Sequence, residues 1–310
     1  MSAIEVRDLR KEYTFKARNP NKGWLGNFFA PDTKSVVAVN DVSFSINQGE
    51  TVAFIGPNGA GKSTTIKMLT GILHPTSGSV RVLGLSPQED RIALVRRIGA
   101  VFGQRSQLLF NLPITDTFDL VSKVYGIDKA AAKKQKERLI ELFDLGKFLD
   151  QPVRKLSLGQ RMRAEVATSL LHTPEILFLD EPSIGLDVVA KLSLRQNLTR
   201  ANQDLGTTIF LTSHDAGDIE SVCARTIVVN TGSIVYDGAT ADLKRQYLKR
   251  KVVTMHHAGG TERVEVDTAE TPIADVLTKM LKDFDVEDIA VEDPPLEEVI
   301  SDIYTHARPR

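Results

Sequence analysis

The run Gly56-Pro57-Asn58-Gly59-Ala60-Gly61-Lys62-Ser63, followed by Thr64 and Thr65, sets glycines, one cation and a hydroxyl side by side. Its spacing is G-x-x-x-x-G-K-[ST], which serves polyphosphate binding only between a strand and a helix. Both flanks are present. Thr51-Val52-Ala53-Phe54-Ile55 is rich in strand formers, and Ile66 and Leu69 fall three apart, as on a helix face. The glycines let the backbone curl so that successive N–H groups face inward as an anion nest, and the new helix adds its positive end. Lys62 can then reach the β- and γ-phosphates, and the Ser63 hydroxyl can ligate Mg2+. The chemistry implied is that of a nucleoside-triphosphate site.

Two further stretches carry compatible chemistry. Asp180-Glu181 closes the apolar run Ile176-Leu177-Phe178-Leu179. A carboxylate at such a strand end can hold Mg2+, and the next can orient an attacking water. Paired acids at strand ends are common, so it is the phosphate loop that gives Asp180 its metal role. Leu156-Ser157-Leu158-Gly159-Gln160 then precedes Arg161-Met162-Arg163-Ala164. Ser157 fits the N-cap of a helix running to Leu171, so its hydroxyl and the nearby N–H groups form a second anion site. One nucleotide does not need two helix N-termini from one subunit. Two such sites make sense in a dimer, with each ATP between one phosphate loop and the partner's helix.

The elements that must position these groups alternate along the chain. Ile4 to Arg7 and Val37 to Ile46 read as half-buried strands, separated by an inserted loop over 16–34. That loop contains Trp24, Leu25, Phe28 and Phe29, whose spacing puts them on one side of a helical turn. Packing on the protein's own sheet and contact with a partner or membrane surface both fit them. Ser79–Val82 and Ile98–Phe102 read as strands, and about 105–165 is mostly helical, punctuated by Pro113 and Gly126. A helical stretch around Leu108 to Pro113 offers an exposed apolar surface. Ile176–Asp180, Thr207–Thr212 and Thr226–Val229 read as buried parallel strands alternating with helices. After 246 the pattern changes. Val264 and Val266 alternate, Ile273, Val276, Leu277, Met280 and Leu281 form a helical stripe, and Ile289 and Val291 alternate again. A last helix carries Leu296, Val299, Ile300 and Ile303 behind Pro294-Pro295. This is a small α/β accessory domain over 246–310, structural or regulatory rather than catalytic.

Composition narrows the class. With 42% hydrophobic and 25% charged residues, the 310-residue chain is an ordinary soluble globular protein of one large or two modest domains. Residues 251–310 hold 14 acidic against 6 basic side chains, while those before them hold 26 against 33. That mild positive excess suits a polyphosphate and falls far short of a nucleic-acid binder. The single cysteine, Cys223, excludes an internal disulfide and reads as a packed thiol. The start of the sequence lacks signal-peptide features, and no uncharged apolar run reaches the ~20 residues needed to span a bilayer. The expectation is a cytoplasmic protein.

Taken together, these ordered motifs resemble the ATP-binding-cassette (ABC) ATPases over about residues 1–245. The resemblance implies an α/β P-loop cassette: a mixed sheet core with an inserted helical subdomain at about 105–165. It makes Gly56 to Thr64 the Walker A loop, Ile176 to Asp180 the Walker B strand and Glu181 the catalytic carboxylate. Gln104 matches the glutamine that touches Mg2+ and senses the membrane partner. Leu156 to Gln160 matches the signature, with Leu158 standing where the usual LSGGQ has its first glycine. Ser157 and Gly159, which carry the phosphate contacts, remain. Asp187 matches the D-loop acid, His214 the histidine that contacts the γ-phosphate, and Tyr13 the aromatic that stacks on adenine. The function implied is the ATP-hydrolysing subunit of a transporter, most like bacterial multidrug or viologen-type efflux ATPases. It would work as a dimer of two copies or with a paralogue, peripheral on the cytoplasmic face and bound there through transmembrane permease subunits. The rivals are a non-transport ABC ATPase and a nucleotide-gated regulatory module with negligible turnover.

Overall fold

The structure is a computed structural model that describes residues 2–17, 32–103, 106–247, 250–257, 259–267, 271–283, 286–292 and 296–306. It divides into two compact units, residues 1–237 and 238–308.

The first unit is built on two sheets. β1 (Ser2–Ala17) and β2 (Asp32–Asn47) form a long antiparallel hairpin, and β4 (Ser77–Val82) joins the other edge of β1. The second sheet runs β5-β6-β7-β3-β8-β9, from β5 (Ile98–Phe102), β6 (Ile176–Asp180), β7 (Thr208–Thr212), β3 (Thr51–Ile55), β8 (Arg225–Asn230) and β9 (Ser233–Ala239). Its pairs from β5 through β8 are parallel. These strands read as continuous apolar runs because both faces are covered. An aromatic cluster joins the sheets: Phe44 of β2 lies 5.7 Å from Phe54 of β3 and 6.3 Å from Phe210 of β7. Phe210 in turn meets Phe178 of β6 at 5.7 Å. Such ring pairs add directional packing to a large burial of apolar area.

The helices are α1 (Lys62–Leu69), α2 (Arg91–Val95), α3 (Ile114–Val124), α4 (Lys129–Leu142), α5 (Leu158–Ser169), α6 (Val188–Leu205) and α7 (Ala216–Val222). Between β5 and α5 the described residues are helical mainly over 114–124 and 129–142, and the expected helical stretch around 108–113 is absent. Residues 108–113 form turns rather than a helix. Pro113 disfavours helical geometry in the residue before it. Side chains hold the stretch in this form: Gln107 N–H donates to Glu165 and Leu109 N–H to Thr117 Oγ1. The apolar side chains there are nevertheless exposed at Phe110 and Leu112, while Leu108 is buried.

The 16–34 insertion is shorter than its loop-like composition suggests, because strand pairing extends to Ala17 and resumes at Asp32. Trp24, Leu25, Phe28 and Phe29 lie outside the described residues. Cys223 is buried, which pushes its thiol pKa up.

The second unit contains α8 (Thr240–Tyr247), a three-stranded antiparallel sheet and two further helices. The sheet order is β11-β10-β12, from β10 (Arg250–His257), β11 (Gly260–Asp267) and β12 (Val286–Glu292). β10 is its central strand and was not anticipated. α9 (Ile273–Asp283) places Met280 against Val253, Met255 and Val266 in a separate small core. α10 (Leu296–His306) buries Leu296, Val299, Ile300 and Ile303, as its spacing requires.

Candidate functional site

β3 ends at the buried Ile55, and the chain turns over residues 56–61 into α1. Gly61, the residue before the helix, has φ +100°, and a Cβ there would lie 2.3 Å from the Ala38 carbonyl. Only glycine satisfies both demands. Gly61 offers no side-chain cap, so the first N–H groups of α1 are left for an outside acceptor, the usual condition of an anion site. Pro57, Asn58, Gly59 and Ala60 form the turn, closed by Ala60 N–H to the Pro57 carbonyl at 3.1 Å.

Lys62 is 8% exposed; its Nζ donates to the Gly56 carbonyl at 2.6 Å and stands 4.0 Å from Glu181 Oε1. Burial holds its ammonium below the ordinary lysine pKa, while the carboxylates of Glu181 and Asp180 pull the other way. A desolvated cation of this kind interacts strongly with an incoming anion.

Asp180 Oδ1 accepts from Ser63 Oγ at 3.1 Å and from Thr212 Oγ1 at 2.7 Å. A hydroxyl and a carboxylate meeting in this way suit Mg2+, which takes oxygen ligands and usually binds through one or two carboxylates plus substrate phosphates. Thr212 was not among the sequence-derived site residues. The sequence marks it only as the end of an apolar strand; the parallel register then sets it directly opposite Asp180.

Glu181 has φ +54°, a conformation that costs on the order of 1–3 kcal/mol in a residue with a Cβ. Its N–H is fixed by Thr212, donating to the carbonyl at 3.0 Å and to Oγ1 at 3.1 Å. Its Oε2 meets His214 Nδ1 at 2.7 Å. Since an ionised carboxylate only accepts, the ring donates from Nδ1, and only a doubly protonated ring could also donate from Nε2 to a phosphate oxygen. His214 is 63% exposed. One chain therefore brings Lys62, Ser63, Asp180, Glu181 and His214 together.

Gln104 lies outside the described residues. Its predecessor Gly103 donates its N–H to the Asp180 carbonyl at 3.0 Å. The segment just after it is fixed by Glu165 of α5, which accepts from the Ser106 hydroxyl and from Gln107 N–H. Burial pushes the Glu165 pKa up, and these hydrogen bonds oppose it. Glu165 was also missed: it looks like a lone acid on an apolar helix face, and its partners are distant in sequence.

The signature residues stand apart. Ser157 caps α5 in a reciprocal box, its Oγ accepting from Gln160 N–H at 3.2 Å and its N–H donating to Gln160 Oε1 at 2.9 Å. A hydroxyl that accepts still has its own proton to donate. Gly159 packs so tightly that a Cβ would come 2.5 Å from Ala190 Cβ. Leu158, 38% exposed, lies over Gly185. The tight approach in this turn thus falls at Gly159, and the leucine occupies open space beside it. Among the described residues, no hydrogen bond or ion pair joins Ser157, Gly159 or Gln160 to residues 56–64.

Asp187 caps α6, accepting from Ala190 N–H at 2.8 Å. Tyr13 pairs with Val36 on β2, two positions before the Ala38 carbonyl that abuts Gly61. Tyr13 and Val36 are both exposed there, and Lys11 Nζ lies 5.3 Å from the Tyr13 ring centre.

Comparison with known proteins gives a consistent result. The family described as ABC transporter matches residues 39–184. The ABC transporter ATP-binding protein NatA of Bacillus subtilis is 30% identical over 69% of this chain and 87% of its own length. The methionine import ATP-binding protein MetN 1 of Acinetobacter baylyi is 34% identical over 69% of this chain and 61% of its own. The daunorubicin/doxorubicin resistance ATP-binding protein DrrA of Streptomyces peucetius is 34% identical over 67% and 62%. The chain thus spans less than two thirds of the last two relatives. Among solved structures, a dimeric ATP-binding cassette in a post-hydrolysis state, bound to ADP and Pi, is similar with a TM-score of 0.62. It is 24% identical and covers 76% of this chain and 98% of that one.

Proposed function

The chain belongs to the ATP-binding proteins of ABC transporters and is an ATPase, and we propose that it powers an exporter by ATP-driven closure of a dimer. The observation that carries this reading is the convergence of Lys62, Asp180, Glu181 and His214 on one end of the β3/β6/β7 sheet.

In the proposed cycle Tyr13 stacks on the adenine, and the turn over Gly56–Gly61 wraps the phosphates with its N–H groups. Lys62 gives up its carbonyl contacts to neutralise the β- and γ-phosphates. Ser63 and Asp180 would hold Mg2+, with Gln104 as a further contact, and the ion would supply charge neutralisation for the transferred phosphoryl group. Glu181 orients a water for in-line attack on the γ-phosphorus and accepts hydrogen bonding from it. A bond forms from the water oxygen to phosphorus as the bond to the bridging oxygen of ADP breaks, and the proton lost by the water passes through Glu181 to the released phosphate. His214, fixed through Nδ1 by Glu181, donates from Nε2 to the γ-phosphate as an imidazolium. Ser157, Gly159 and Gln160 complete the site of a second copy, or of a paralogue, beside Asp187.

Support for export comes from the drug-resistance relative; an import relative of similar identity keeps direction a separate question from catalysis. No helix among the described residues is long and apolar enough to cross a membrane. We assign membrane attachment, on the cytoplasmic face, to transmembrane permease subunits that dock on the exposed turn around Phe110 and Leu112.

Phosphate release by the purified protein tests the core of this reading: Mg-ATP-dependent turnover is expected, and its absence would favour a nucleotide-gated regulatory module. Replacing Leu109 and Phe110 with Ser should leave ATP binding intact and free the protein from membranes holding its permease. Unchanged recovery with those membranes would remove the docking assignment.

A further inference from the structure

A polar cluster behind the Glu181–His214 pair has no part in the chemistry above. Asp218 on α7 is almost wholly buried. Its Oδ2 accepts from the Ser183 hydroxyl and, at 2.8 Å, from the Ser213 hydroxyl. Ser183 follows Glu181 by two residues, and Ser213 immediately precedes His214. One carboxylate oxygen therefore ties together the two loops that carry the reacting pair.

Arg195 of α6 holds this carboxylate in place. Its Nε donates to Asp218 Oδ1 at 2.7 Å, and its Nη2 donates to Asp215 Oδ1 at 2.6 Å. Asp215 immediately follows His214, caps α7 and also receives Lys191 Nζ at 2.5 Å. The guanidinium thus grips both sides of α7's first turn, with Lys191 as a second cation on Asp215 alone. Glycine at residue 217 leaves room for Arg195: a Cβ there would lie 2.5–2.7 Å from the guanidinium atoms, which would have to shift. A planar fork with fixed donor directions orders two carboxylates in a way that an ammonium cannot.

We propose that Arg195 is a positioning residue for ATP hydrolysis, holding Asp215 and Asp218 so that Glu181 and His214 keep their mutual geometry. Arg195 touches neither nucleotide nor reacting water. The proposal rests on the roles assigned above to Glu181 and His214. Because α6 begins at Asp187, the same grip links the partner-facing end of that helix to the reacting pair.

The test measures kcat, KM and equilibrium ATP affinity for the native protein, Arg195→Ala, Arg195→Lys, Gly217→Ala and Glu181→Gln. Arg195→Ala should lose about tenfold or more in kcat, the scale of a misplaced reacting group. Its KM and ATP affinity should stay within about twofold, because Lys62, Ser63 and Asp180 are untouched. Millimolar guanidinium ion should restore part of the lost kcat, whereas Arg195→Lys should not. Gly217→Ala displaces the guanidinium without removing it and should reproduce the fall in kcat. It also keeps the test sharp if Arg195→Ala fails to fold. Unchanged kcat in Gly217→Ala, or a parallel loss of affinity and kcat without guanidinium rescue, would overturn the proposal. Native-like turnover by Glu181→Gln would instead overturn the underlying site assignment, and the positioning role with it.

Discussion

The two anion sites of the first unit are finished to different degrees. On the phosphate-loop side, Lys62 is almost buried, Asp180 already carries two hydroxyl partners, and the Glu181 backbone is pinned by Thr212. On the signature side, the side chains of Ser157 and Gln160 each accept from the other's backbone N–H, and the surroundings are apolar and exposed. Leu158, Ile184, Val188, Val189 and Leu192 all face solvent, the two valines at 73% and 76%. A chain that needed the signature only for its own stability would gain nothing from that apolar rim. The contrast fits the proposal above, in which one half of the site is preorganised for phosphate chemistry and the other meets a second subunit.

That comparison breaks if the halves do not fail differently. The largest effect is expected from Glu181→Gln, which should bind Mg-ATP yet lose about two orders of magnitude or more in turnover. The variant should accumulate as a closed dimer, seen by size-exclusion chromatography with ATP. Near-native phosphate release would remove Glu181 from the reaction. Lys62→Ala should act earlier, at binding. Losing one charge-assisted contact corresponds to about 1.5–3 kcal/mol, roughly a tenfold to hundredfold fall in affinity. Titration with a fluorescent ATP analogue reads this directly, and unchanged affinity would contradict the phosphate-loop assignment.

The signature half should respond through packing. Gly159→Ala drives a Cβ into Ala190, an overpacking worth about 1–3 kcal/mol. We expect a lowered Tm and weaker ATP-dependent dimerisation, with nucleotide affinity of the monomer unchanged. Pairing it with Ala190→Gly should recover most of the loss. If the double variant is no better than the single one, the tight approach of α5 to α6 is not what fixes the signature.

Local pattern in the sequence reported these two halves unequally. The strand, glycine turn and helix around Lys62 are contiguous, so their chemistry was legible from spacing alone. The N-cap at Ser157 was legible for the same reason, and the structure adds Gln160 as its reciprocal partner. Thr212, Glu165 and the Arg195–Asp218 pair left no such trace. Each acts by meeting a side chain brought in by a different strand or helix, and no local period encodes that meeting. The turn at 108–113 was misread as helix because its apolar spacing resembles a helix face. Glu165 and Thr117 instead hold the stretch as a turn by accepting from Gln107 and Leu109 N–H. β10 was overlooked because Val252, Val253 and Met255 are all buried, so the strand lacks the alternation that marked its neighbours.

The central claim is that Ser157 and Gly159 serve the nucleotide of the other subunit. Mixing a Lys62→Ala chain with a Ser157→Arg chain tests it most directly. A heterodimer then carries one site with both halves native and one with both halves damaged. Tight ATP binding, measured on heterodimers isolated with two different affinity tags, should recover to about half the native stoichiometry, one intact site of two. Binding no better than in either variant alone, with heterodimers demonstrably present, would mean that each chain completes its own site.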